Sequence, residues 1–369
     1  MDKKRKLKFD PSKPSNDLPL LPPTINFETT TIFKQLTKSA VALAELKGLV
    51  NTLPNPYILL NAIILQEAEA SSEIENVITT QDKLYQALTS QSPSNIDPAT
   101  KEVLRYREAL LQGLKIIEKK GFLNTNCIVE IQSILEENSA GIRILPGTTL
   151  TNTRTGKVIY TPPDNHASIV KLLKNLEDYI NIDDDDISSL VKVAIQHYQF
   201  ESIHPFYDGN GRTGRIINIL YLILKGQLDQ PILYLSKYII DNKADYYRLL
   251  QEVRTKDLWE EWVLFILKGI EMTANETKSQ IKKINTLFSK TENLVKEKNA
   301  KIYNKELLEL LYEHPYSKVE YVTKRLGVSR ITATKYLQNL TDMGILEVKQ
   351  VWKENLYINK DLFKLLKLW

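Results

Sequence analysis

The sequence predicts a mainly α-helical protein: a helical core interrupted by one β-hairpin, then a smaller C-terminal unit of helices and a two-stranded ribbon. Three observations carry this. Apolar residues recur at helical spacing along most of the chain, as in Leu36, Ala40, Leu43, Leu46 and Val50. The period changes between Gly141 and Pro163, where two short strand-like pieces flank a turn-rich Thr-Asn-Thr-Arg-Thr-Gly stretch. Beyond Asn304, three short helical runs are followed by two further strand-like runs.

Met1 to Pro23 reads as a polar, Pro-rich arm lying irregularly on the surface, with Lys3, Lys4, Arg5 and Lys6 a solvated basic tail. Residues 24–96 form an N-terminal helical region with helices at Tyr57–Glu75, reached through Pro54 and Pro56, and at Gln81–Thr89. Residues 97–285 form the core. Asp97-Pro98 starts a helix over Lys101–Lys119, and Thr125–Asn138 follows. The hairpin (about 141–163) pairs Ile142–Leu145 with Val158–Tyr160. Asp183 to Asp186 precede a helix, where anions are favoured, so capping and solvation explain them better than metal binding. Ser188–Ile203 and Ile216–Leu224 are helical. Residues 286–303 are a connector, most of it within a long polar helical stretch, Thr273–Lys301, that lacks a strong core signal. The unit at 304–369 has helices Leu307–Tyr312, Val319–Leu326 and Ile331–Leu340, a tight turn at Gly327, and strands Ile345–Trp352 and Leu356–Ile358.

With 369 residues, 43% hydrophobic and 25% charged, the chain can bury a sizeable core in two or three domains. A net charge of +4 is too small to select a partner. Cys127 is the single cysteine, which excludes an intramolecular disulfide and suits a reducing, cytoplasmic setting. No segment approaches the roughly 20 apolar residues that span a bilayer, and the basic N-terminus lacks the apolar run of a secretory signal.

The chemistry concentrates in His204 to Arg215, His-Pro-Phe-Tyr-Asp-Gly-Asn-Gly-Arg-Thr-Gly-Arg, a loop running into the first turn of a helix. Free N–H groups and the dipole make such a turn an anion site, for which phosphate is the natural guest. Gly209 and Gly211 let backbone approach a ligand, and Asn210 can donate its amide. Arg212 and Arg215 project to one side, as suits a polyphosphate. Asp208 beside phosphates calls for a cation between them, the usual way Mg²⁺ is held. His204 is the one group here able to take a proton from an alcohol near neutral pH.

This string resembles the signature of the Fic family, His-x-Phe-x-Asp/Glu-Gly-Asn-Gly-Arg-x-x-Arg, and matches every fixed position. The resemblance implies His204 as general base, Phe206 pointing into the core, and Asp208 on Mg²⁺. It implies Gly209, Asn210 and Gly211 on the α- and β-phosphates, Arg212 clamping the phosphates and Arg215 meeting the γ-phosphate. The implied reaction is AMP transfer from ATP to a Ser, Thr or Tyr hydroxyl of a target protein or of the chain itself. Some relatives transfer another phosphate-containing group, and those tend to alter the Gly-Asn-Gly-Arg stretch that is intact here. The hairpin would be the family's flap, pairing with a target protein through main-chain hydrogen bonds.

Upstream, Ser71-Ser72-Glu73-Ile74-Glu75-Asn76 ends an acidic helix (about 57–76). Ser71 and Glu75 share a face, and Asn76 can take the left-handed conformation that ends helices. The segment resembles the Fic inhibitory helix, Ser/Thr-x-x-x-Glu-Gly/Asn. The resemblance pairs Glu75 with Arg215, so that ATP cannot lie productively; the same glutamate in some relatives serves removal of AMP, which stays open here. Tyr234 to Leu250 resembles the Fic segment that borders the adenine, where Asn242 and Tyr246, which share a face, are the candidates; Tyr246 and Tyr247 are equally readable as core aromatics. His197, seven residues before His204, reads as a packed histidine.

The C-terminal unit resembles the winged helix-turn-helix superfamily, with Ser329 capping its third helix and Arg330, Thr332, Thr334 and Lys335 on or near the outer face. DNA binding there and a protein-docking or homodimer role are both open, since a fold does not fix function. The competing reading of the whole chain is a DNA-binding regulator with a nucleotide-sensing or inactive pocket.

Overall fold

A computed structural model describes residues 9–50, 52–53, 55–90, 96–152, 155–182, 186–351 and 354–367. Lys3 to Lys6, Pro54, Asp183 to Asp185, Trp352 and Lys353 lie outside the described residues.

Helices dominate. Helix α1 (Thr30–Val50) lies along α11 (Trp259–Asn299) and buries Leu43 and Leu46. Helix α2 (Tyr57–Ile74) packs on α4 (Pro98–Lys120), with α3 (Gln81–Thr89) between them in sequence. Thr80 caps α3, Asp97 caps α4 and Asn124 caps α5 (Thr125–Glu136), each accepting a hydrogen bond from a first-turn N–H. Helix α6 (His166–Asn181) leads to α7 (Ser189–Ile203), whose residues from Leu190 on are all buried. That helix sits at the centre, flanked by α6, α8 (Asn210–Leu224) and α11. A short α9 (Leu235–Asp241) and α10 (Lys243–Lys256) close the core.

The N-terminal arm is pinned. The Ser15 N–H donates to Thr161 O, the Leu21 N–H to Asn175 Oδ1, and Asn16 exchanges hydrogen bonds with Asp164. It therefore runs along the base of the hairpin.

Two expectations about elements change. The first hairpin strand is not Ile142–Leu145: β1 is Leu150–Thr151, paired antiparallel with β2 (Val158–Tyr160). Residues 142–145 instead bond to the loop after α7, because Arg143 is buried there. The connector at 286–303 is not a polar linker. Helix α11 continues unbroken to Asn299, and Ile281, Ile284, Phe288 and Val295 form a buried stripe at helical spacing that the surrounding lysines masked in the sequence.

The C-terminal unit comprises α12 (Lys305–Glu313), β3 (Tyr316–Ser317), α13 (Val319–Leu326), α14 (Arg330–Asp342), β4 (Leu346–Val351), β5 (Glu354–Asn359) and α15 (Lys360–Lys367). The strands form one antiparallel sheet in the order β3-β5-β4. Strand β3 and helix α15 were not anticipated: two residues are too few to show a period, and Leu362, Leu365 and Leu366 follow a strand directly. The unit docks on the core. Tyr85 of α3 stacks on Tyr316 at 5.6 Å between centroids. Phe363 meets both rings edge-on, and Gln66 of α2 donates to the Leu366 carbonyl at 2.8 Å.

Candidate active site

The loop between α7 and α8 turns on two left-handed residues, His204 at φ 48° and Gly209 at φ 76°. Glycine is required at the second, since a Cβ there would collide with the Glu136 carboxylate. Phe206 is fully buried and faces Phe200 at 6.3 Å. Asn210 is placed otherwise than expected. Its side chain accepts from the Phe206 N–H and donates to the Phe206 carbonyl, both at 2.9 Å, so it braces the loop and its amide is not offered outward. The backbone N–H groups of the first turn of α8 remain the element suited to an anion.

Asp208 carries a side chain 80% exposed, its Oδ1 accepting from the Gly209 N–H at 2.7 Å and lying 4.0 Å from Arg212 Nη2. No cluster of three metal-ligating side chains occurs among the described residues. One open carboxylate at the mouth of an anion site fits a Mg²⁺ whose other ligands are phosphate oxygens and water.

The two arginines diverge in their partners. Arg212 donates to Glu102 of α4 and, at 2.9 Å, to Glu136 of α5. Arg215, 3% exposed, donates from Nε to Ser71 Oγ at 2.7 Å and from Nη2 to the Ser71 carbonyl at 2.8 Å and Glu75 Oε1 at 2.9 Å. Burial raises the Glu75 carboxylate, but its pairing with Arg215 outweighs this and holds it below its ordinary value. Its oxygen rests over the first turn of α8, where a Cβ on Gly211 would strike it. A carboxylate thus occupies the mouth of the helix N-terminus. Asn76 adopts φ 66° and ends α2 as the spacing foresaw, and its Oδ1 accepts from Lys243 at 3.3 Å.

His204 is partly buried. Burial, reinforced by the Arg143 and Arg254 guanidiniums, lowers its pKa to about 4 despite the opposing Glu75 charge. It is therefore a neutral imidazole at neutral pH, able to accept a proton.

Neither adenine candidate is an open binding surface. Tyr246 is 1% exposed, with its hydroxyl 2.8 Å from His197 Nε2 and its ring packed against Trp262 and Phe265. It is a core aromatic behind Arg215. Its neighbour Tyr247 is 46% exposed and close enough to Glu75 and Arg215 to feel both charges. Asn242 is partly buried at the α9–α10 junction, where its side chain donates to the Tyr238 carbonyl at 2.9 Å.

Sequence reading missed a buried polar layer behind the arginine. Glu67 accepts from Tyr106 and from the Ser236 N–H, and burial pushes its pKa up to about 7. Glu201 is raised to about 7 by burial too, and His197 is lowered to about 3 by burial and Arg215. Glu67 falls on the same acidic helix as Glu75, but only its partners distinguish it. The carboxylates on Arg212 carry no signal in the sequence.

Comparison with known proteins places these features. Residues 33–115 match the Fic/DOC family N-terminal region, residues 122–222 the Fic/DOC family, and residues 287–362 the C-terminal domain of the SoFic-like protein adenylyltransferases. The chain is 30% identical over 110 residues to protein adenylyltransferase fic-1 of Caenorhabditis elegans, covering 30% of this chain and 20% of that one. It is 34% identical over 80 residues to a probable protein adenylyltransferase of Aquifex aeolicus, covering 22% of this chain and 24% of that one. These matches span about a fifth to a quarter of the relatives' length. The fold resembles a Fic family protein of Desulfovibrio desulfuricans G20, with a TM-score of 0.58, 19% identity, and 91% and 97% of the two chains covered. It also resembles a Fic-1 fragment of C. elegans, with a TM-score of 0.53, 20% identity, and 68% and 74% covered.

Proposed function

Starting from the Fic domain that this chain carries, we propose that it is a protein adenylyltransferase, moving AMP from ATP to a Ser, Thr or Tyr hydroxyl and held off by Glu75. The ion pair of Glu75 with Arg215, laid over the first turn of α8, carries the reading. When Glu75 withdraws, Arg215 is released toward a terminal phosphate, and the α8 N–H groups and Arg212 meet the inner phosphates. Neutral His204 takes the proton of the target hydroxyl, whose oxygen attacks the α-phosphorus while the bond to pyrophosphate breaks. Asp208 is the residue that would hold Mg²⁺, which when bound offsets phosphate charge. The hairpin edge at β1 and β2 would take the target as an added strand.

Incubating wild type, Glu75→Gly and Glu75→Gly/His204→Ala with α-labelled and γ-labelled ATP tests this. Protein labelled by the α-label alone, strong in Glu75→Gly and lost with His204, is the expected result. Labelling from the γ-position would mean terminal phosphate transfer, and none from either would overturn the reading.

For the C-terminal unit we propose a winged helix-turn-helix whose α14 is available to DNA. Arg330, Ile331, Thr334, Lys335 and Gln338 form an exposed face of α14, with Ile331 83% exposed. A salt-dependent shift of labelled duplex by the full chain is expected. No shift at low salt would leave this face to a protein partner or a second copy.

A further inference from the structure

Arg143 belongs to no part of the signature and is fully buried. Its surroundings are peptide carbonyls of the loop that presents His204. Its Nε donates to the His204 carbonyl at 2.8 Å, its Nη2 to the Ile203 carbonyl at 3.3 Å and to the Pro163 carbonyl, and its backbone N–H to the Pro205 carbonyl at 2.9 Å. Three consecutive residues at the end of α7 are thus held by one residue, and the far end of the hairpin is tied to the same guanidinium. The reverse latch lies beside it: the Tyr207 hydroxyl accepts from the Ile144 N–H at 3.0 Å and the Leu145 N–H at 3.1 Å. His166 Nδ1 lies 3.0 Å from the Arg143 carbonyl.

His204 needs such a hold. It is a non-glycine residue at φ 48°, ψ 60°, a conformation that persists only where the surroundings impose it. We propose that Arg143 is a positioning residue for AMP transfer, fixing the His204 backbone and the segments that lead into and out of the hairpin in one frame, so that base and target strand meet in register. The inference rests on the adenylyltransferase reading above.

Its charge acts in the same direction. The groups facing the imidazole are Arg143, Arg254 from α10 and Glu75 from α2, with the Glu201 backbone of α7. Burial is the main reason the imidazole is neutral, and removing Arg143 takes away one of the guanidiniums that reinforce it.

The test compares Glu75→Gly with Glu75→Gly/Arg143→Lys, Glu75→Gly/Arg143→Gln and Glu75→Gly/Tyr207→Phe. Lysine keeps the charge without the fork, glutamine keeps bulk without charge, and Tyr207→Phe loosens the latch from the exposed side. The expected result is a fall in kcat of about tenfold or more for both Arg143 variants, as small misplacements of a base produce, with ATP affinity changed less than about twofold. Tyr207→Phe should show a smaller loss of the same kind. Equal kcat in parent and Arg143 variants would overturn the proposal, as would parallel loss of ATP affinity, the mark of general damage.

NMR titration of histidine-labelled protein gives a readout independent of turnover, with His204→Gln assigning the signal among the four histidines. In Arg143→Gln the His204 pKa should rise above that of the parent while burial still holds it below the ordinary imidazole value, and an unmoved titration would count against the proposal. If Glu75→Gly transfers no AMP, the adenylyltransferase reading fails. The titration then still decides whether Arg143 governs His204.

Discussion

The two walls of the site hold their arginines differently. Arg212 faces α4 and α5, where Glu102 and Glu136 close on it and both helices belong to the packed core. Arg215 faces the last turn of α2, where Ser71 is fully buried but Glu75 has a side chain 36% exposed. Two guanidiniums three residues apart therefore serve unlike ends. One wall is built to stay, and the other ends in a carboxylate that water can reach and a left-handed Asn76 that lets the chain leave. On the proposed reading, permanence and removability are separated along a single helical turn.

The sharpest way to break this contrast is Glu75→Gly. Transfer should rise on the order of 10- to 100-fold, the range of an ordinary coupling free energy, while unfolding stability falls by only about 1 kcal/mol. Labelling rates and urea midpoints check the two halves; a large stability loss with no gain in rate would make the walls alike. The converse holds for Glu102→Gln/Glu136→Gln. Stripping both partners from buried Arg212 should cost about 3 kcal/mol in urea unfolding. Gly209→Ala, which strains φ and strikes Glu136 on the same permanent wall, should cost about 1–3 kcal/mol by thermal melts.

The effect least visible at neutral pH concerns the histidine between the walls. Folded His204 titrates at about 4, whereas an unfolded imidazole titrates near 6.5, so the unfolded chain takes up the proton first as pH falls. The stability His204 contributes is complete above the unfolded value and drains away as pH drops toward 4. His204→Gln should flatten the acid limb of the stability profile by up to about 1.4 kcal/mol per pH unit. An unchanged limb would place the His204 titration elsewhere.

Much of this contrast was legible in the sequence, and the reasons for the rest are physical. A contiguous string revealed the signature because its residues stand next to one another in the chain. Glu75 was legible because its helix end carries its own grammar, four residues from Ser71 and one before Asn76. Glu102 and Glu136 were not, since partners brought together by folding leave no trace in spacing. Tyr246 and Tyr247 show another limit: adjacent residues sit about 100° apart around a helix, and only packing on Trp262 decides which one is buried. Asn210 illustrates a third, because an amide can serve loop or ligand with the same atoms. Arg143 was passed over because a buried cation held by carbonyls looks, in sequence, like any surface arginine.

Helix α2 has a further consequence when regarded as a loaded beam. Its middle is gripped by α4, by α9 and by the C-terminal unit through Gln66 and the Leu366 carbonyl. The 41-residue α11, roughly 60 Å long at a helical rise, carries that unit on a stiff spar instead of a tether. Helix α2 is thus a beam clamped along its middle, bearing Glu75 just past its last turn. The C-terminal unit and the carboxylate on Arg215 therefore bear on one and the same rigid element.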